Sequence, residues 1–201
     1  MNTFLMKKPV FGIGIFFLVN LLPSLAIAQA TYHNKGIARM VIYGTSNINE
    51  WKMSSGKGVC SGTFIIDESG SLTGLSSISF SMQVSTLKSV HGSQMDNNAY
   101  KAMAVDRNPN ISFSSSTVTV VADGNGVYTI TAHGRMQISS GSQQVVIVAK
   151  GKVQADRSIQ IEGTYNILTT DYNVAPISIM MGAVKTSPNV RIEYSLVMRP
   201  Q

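Results

Sequence analysis

From Ile78 to Val84 apolar and polar residues alternate without a break. Ile78, Phe80, Met82 and Val84 fall on one side, and Ser79, Ser81 and Gln83 fall on the other. A period of two belongs to a β-strand with one dry face and one wet face. The same rhythm recurs over Ala38–Tyr43, Val59–Ile65, Ile78–Leu87, Ile111–Val121, Val127–Ile138, Gln144–Val153, Ser158–Leu168 and Val190–Met198. Many such strands in series cannot stay as a flat sheet with free edges, so they must close into a barrel or pack as a sandwich.

Punctuation between the strands agrees with this reading. Asp123-Gly124-Asn125-Gly126 is a hairpin turn, because Gly and Asn tolerate positive φ. Ser139–Gln143 and Ala155–Arg157 read as the next two turns, and Pro109, Pro176, Pro188 and Pro200 are placed outside the strands. The one helical candidate is Gln94–Met103. Ser93 is its expected cap, and Met95, Ala99 and Met103 share a face with Tyr100 beside them. Such a helix could lid one end of a barrel or pack against its outside.

The first thirty residues have a different character. Lys7 and Lys8 precede an apolar run from Val10 to Val19, and small residues at Ala26 and Ala28, or at Ala28 and Ala30, satisfy the A-x-A cleavage rule. The unbroken run is shorter than the roughly 20 residues of a spanning helix, so residues 1–30 read as a cleavable signal peptide. Residues 31–201 then form a single domain exported to the periplasm or beyond. Removing Lys7 and Lys8 leaves 14 basic against 10 acidic residues, a net of +4. The cations are scattered, which argues against a nucleic-acid partner. Cys60 is the single cysteine, so no internal disulfide staples the fold, and it reads as a small buried apolar residue.

Chemistry is sparse. No serine lies in a G-x-S-x-G elbow, no paired carboxylates stand out, and His33, His91 and His133 have no ligand spacing. The expectation is a non-enzymatic protein with no metal and no cofactor. A small outer-membrane barrel fits poorly, because Ser79, Ser81, Ser85, Ser112 and Ser114 make the opposite strand faces too polar for lipid. Methionine is abundant, and this flexible side chain suits surfaces that accept greasy ligands. Met180 and Met181 fall in the Pro176–Pro188 stretch that no strand claims, and Trp51 sits in a loop-like stretch where it could cap a barrel end or seal a pocket.

Three stretches resemble the YceI-like family, the lipocalin-like polyisoprenoid-binding proteins of bacterial envelopes. Gly44-Thr45-Ser46-Asn47-Ile48-Asn49-Glu50-Trp51 is similar to the G-T-S-N-x-x-x-W opening of one branch, with Asn49-Glu50 where that branch has His-Asp. Met95-Asp96 through Tyr100-Lys101-Ala102-Met103, then Asn108-Pro109-Asn110-Ile111-Ser112-Phe113, resembles the family's short helix and its Y-P-x-I-x-F strand start. Thr170-Asp171-Tyr172 and Met180-Met181-Gly182-Ala183-Val184-Lys185-Thr186 resemble its C-terminal T-D-Y/F and M-x-G-x-x-K-T segments. The resemblance implies an all-β, eight-stranded antiparallel lipocalin-like barrel with one short helix inserted, and a soluble carrier of an isoprenoid or other long-chain amphiphilic lipid. The alternative is a structural or interaction module with a solidly packed barrel. On the carrier reading, the dry faces place Phe80, Met82, Val84, Ile111, Phe113, Tyr128, Ile130, Ile161, Tyr194 and Leu196 along the cavity. Met95, Tyr100, Met103 and Met180 stand near an opening. The sequence names neither the passenger nor an oligomeric state.

Overall fold

The computed structural model describes residues 29–34 and 38–200. The segment read as a signal lies outside the described residues up to residue 28, as does Gln201. The elements are β1 (Gln29–Asn34), β2 (Ala38–Ser46), β3 (Glu50–Ile66), β4 (Leu72–Gln83), β5 (Lys88–Ser89), α1 (Ser93–Ala102), β6 (Asn110–Gly124), β7 (Val127–Ile138), β8 (Gly141–Val153), β9 (Ile159–Leu168), β10 (Ser178–Ile179) and β11 (Val184–Pro200). Neighbours pair antiparallel in the order β2-β3-β4-β6-β7-β8-β9-β11, and β11 returns to β2. The eight long strands therefore close into an all-β barrel, which removes the free edges that the alternation made costly.

β1 extends the β2 position in the wall. It pairs β3 through Tyr32↔Gly62 and β11 through Tyr32↔Pro200, below the Ala38↔Gly58 pair where β2 begins. Its first residue is Gln29, two residues inside the segment read as signal.

Several boundaries differ from the sequence reading. β3 starts at Glu50, nine residues earlier than expected, so Trp51 is a strand residue paired with Gly44. Polar residues from Lys52 to Lys57 hide the alternation there, yet Trp51, Met53 and Ser55 share one phase. β11 runs from Val184 to Pro200 and contains both Pro188 and Pro200. Pro188 is accommodated because the register with β2 shifts between Thr186 and Val190, where no ladder hydrogen bond is required of it. β4 ends at Gln83, and Val84–Thr86 forms a 3-10 turn. Helix α1 is capped by the backbone of Gly92, with Ser93 as its first residue and no side-chain cap. The Asp96 carboxylate is used elsewhere, accepting the Ser89 N–H at 2.7 Å.

The lower end of the barrel is solid. Phe64, Leu72, Ile159 and Met198 interlock there at 4% exposure or less. Tyr128 joins this floor, and its hydroxyl accepts the Leu72 N–H at 3.1 Å. Helix α1 lies at the other end, over Met82, Val84 and Leu87. Asp96 holds it to β5, and the Tyr100 hydroxyl lies 2.6 Å from the Leu87 carbonyl while accepting Lys88 Nζ at 2.9 Å.

Candidate ligand-binding site

Between floor and helix the lumen holds an apolar cavity of about 200 Å³. For scale, an engineered apolar void of about 150 Å³ stays dry and binds benzene. Phe80, Ile111, Phe113, Ile130, Ile161, Tyr194 and Leu196 line the cavity. Ala99, Ala102 and Met103 bring the helix onto it, so α1 covers the lumen.

The hollow has a local cause. Large inward side chains face glycine on the neighbouring strand and lie flat against the wall. The Phe80 ring occupies the space a side chain at Gly58 would take. A Cβ at Gly134 would lie 2.8 Å from Phe113 Cε2, and one at Gly151 would lie 2.8 Å from Ile130 Cδ1. Trp51 covers Gly44 in the same way, and Tyr194 covers Gly163. Rings laid back on these glycines leave the centre open at this height, although Phe64 in the floor also rests against a glycine, Gly62. Ala132 and Ala149 add small inward residues to the same wall.

The other expected site residues lie elsewhere. Met82 and Val84 are buried beneath α1 with Leu87 and Ala99, and Met95 and Tyr100 pack against that cluster. The 3-10 turn takes Val84 out of strand phase. Tyr128 belongs to the floor. Met180 is 74% exposed on a left-handed turn (φ 53°), next to the fully exposed Met181. Neither of these methionines borders the cavity.

Sequence reasoning missed Tyr165, Ile167, Val174 and Ile177 as lining residues, and it offered Trp51 only as a barrel cap or a pocket seal. Tyr165 and Ile167 carried the signal, since they continue the Ile159–Ile161 phase. Trp51 pairs with Gly44 across β2 and β3, a contact visible only once β3 is seen to start at Glu50. Val174 and Ile177 lie between strands, where period two says nothing.

Electrostatically the lumen is bland. Cys60 is buried, and desolvation pushes its thiol up to about 12, so it stays a protonated apolar group. Burial also pushes the Tyr194 phenol up to about 12, and its hydroxyl donates to the Val148 carbonyl at 3.1 Å. Among the described residues no group of three His, Cys, Asp or Glu could hold a metal ion.

The YceI-like domain family matches residues 42–198, nearly the whole barrel. The chain belongs to the YceI-like family. Solved structures agree in fold. Burkholderia cenocepacia BcnA superposes with a TM-score of 0.58 at 15% identity, over 80% of this chain and 95% of that one. A polyisoprenoid binding domain from Saccharophagus degradans, implicated in plant cell wall breakdown, superposes with a TM-score of 0.61 at 9% identity. That match covers 86% of this chain and 99% of the domain. No curated protein sequence matches. Within this YceI-like barrel, none of the described helices is long and apolar enough to cross a membrane.

Proposed function

We propose that this YceI-like protein is an exported, non-enzymatic carrier that holds an isoprenoid or another long-chain amphiphilic lipid in its barrel. The observation that carries the reading is the nearly all-apolar cavity under α1, walled by side chains laid flat on glycines. Each methylene buried there contributes about 0.8 kcal/mol, so a ten-carbon tail supplies about 8 kcal/mol before ordering costs. Shared fold with a polyisoprenoid binding domain supports the same ligand class. The apolar run and A-x-A sites before β1 support export through a cleaved signal, releasing the barrel into the periplasm or the medium.

Native mass spectrometry and organic extraction of the purified mature chain test the proposal. A hydrophobic passenger near one per chain is expected, and the emptied protein should then bind an apolar fluorescent reporter. A chain that yields no passenger and binds no reporter has a functionally filled barrel, which ends the carrier reading.

A further inference from the structure

The ladder between β8 and β9 stops early. Ala149↔Gly163 is its last pair, so residues 141–148 and 164–168 have no partner across this seam. On their other sides both segments are fully paired, β8 with β7 and β9 with β11. The result is a wedge-shaped gap in the wall; the β4–β6 ladder splays as well, ending at Ile78↔Ser115. At its narrow end Tyr194 donates to the Val148 carbonyl. At its wide end the Gln143 side-chain amide donates to the Asp171 carbonyl at 2.8 Å, and Gly141 packs on the Tyr172 backbone.

Inward residues beside the gap are unusually open. Ile147, Tyr165 and Ile167 share the dry phase yet are only half-buried. Tyr165 and Ile167 also border a second hollow of about 760 Å³, which adds Gln143, Gln144 and Asn166 to the wall. The apolar cavity and this more polar hollow also share Trp51 and Val190, so the two lie side by side against the same side chains. An apolar cavity beside a polar recess offers the two environments an amphiphile needs.

The charges at the recess select among heads. Its carboxylates are Glu50 and Asp171. Its one basic side chain among the described residues is Arg191, which is paired with Glu193 and lies 4.4 Å from the Tyr43 ring centroid. Arg39 borders the apolar cavity but is exposed, alternating to the outer face between buried Ala38 and Met40. Burial raises the Tyr165 phenol first, and the Asp171 charge raises it further, as expected of a negative local field. A diphosphate needs uncommitted Arg or Lys donors, whereas amides both donate to and accept from a neutral head.

We infer that the β8–β9 seam receives the head of the bound amphiphile and favours an uncharged hydrogen-bonding head, a hydroxyl or carbonyl, over a diphosphate. The inference rests on the carrier reading, because it presupposes a tail in the apolar cavity.

Displacement of a bound apolar fluorescent reporter from the delipidated mature chain tests it. Three competitors share one tail length: phytane, geranylgeraniol and geranylgeranyl diphosphate. Geranylgeraniol is expected to bind at least tenfold more tightly than the diphosphate at neutral pH. Asn166→Arg adds a cation at the exposed seam edge and should lower that ratio at least fivefold, while Ser79→Arg on the distant outer face leaves it unchanged. A diphosphate that binds as well as the alcohol overturns the head preference. An unchanged ratio in folded Asn166→Arg overturns the location. In both cases displacement by phytane shows that the carrier reading stands. If none of the three displaces the reporter, the carrier reading fails and this inference falls with it.

Discussion

The two ends of the barrel are built from the same alternating strands, yet one is solid and the other hollow. At the floor Phe64, Leu72, Ile159 and Met198 meet one another in the middle. In the upper half Phe80, Phe113 and Tyr194 are laid back onto Gly58, Gly134 and Gly163. Eight strands leave an interior that side chains can fill or a slender ligand can occupy. Phe64 in the floor also rests against a glycine, Gly62, so what separates the ends is whether large side chains from different strands meet across the middle, and strand number is common to both.

Substitutions can break this contrast. Phe64→Ala should have the largest effect, about 3–5 kcal/mol of lost stability, because a fully buried ring leaves a void in a packed floor. Denaturant unfolding would measure it, and reporter affinity of the folded fraction should stay within about twofold. Ala149→Leu adds volume where there is room. Its stability should change by less than about 1.5 kcal/mol. Reporter affinity should fall about tenfold, or about 1.4 kcal/mol. A large stability loss with unchanged affinity would show that the upper half is as tightly packed as the floor.

Two smaller effects sharpen the picture at the wall. Tyr194→Phe removes the hydrogen bond to Val148 at the seam's narrow end and should cost about 1 kcal/mol at pH 8. The Tyr194 phenol titrates near 12 in the fold against an ordinary value of 10.0, so the fold favours its neutral form. Its contribution is complete below the ordinary value and is lost as pH rises through the folded one. Stability curves in that alkaline window should be shallower for Tyr194→Phe than for the parent. The smallest effect belongs to Asp123, whose carboxyl is held below its ordinary value first by the Lys150 hydrogen bond and then by Thr129. Its contribution is present above the ordinary carboxylate value and fades as pH falls through the lowered one. Asp123→Asn should slightly flatten the acid limb of the stability profile while leaving reporter binding unchanged.

Much of the wall was legible because alternation is a local property. Ile78–Val84 and Val127–Ile138 announce their dry faces with no reference to any partner. Where polar residues crowd both faces, as from Lys52 to Lys57, the strand is real but unannounced. Pro188 misleads for a similar reason, since the shift in register that admits it is visible only against β2. Ser93 has the chemistry of a cap, but Asp96 is turned to Ser89, and the helix begins on the Gly92 backbone. At the candidate site, Phe80, Phe113 and Ile130 were legible as inward residues and also line the cavity. Tyr128 has the same inward phase and lies in the floor, because period two reports which face is dry and nothing about height along the barrel.

The sequence alone determined that this chain is a series of strands with one greasy face each, because the two-residue repeat is written in consecutive side chains. Only the tertiary structure decided where the interior is solid, where it is hollow and where its wall parts between β8 and β9. Those properties depend on which residues from strands far apart in the chain come to face one another, and closure of the barrel sets that register.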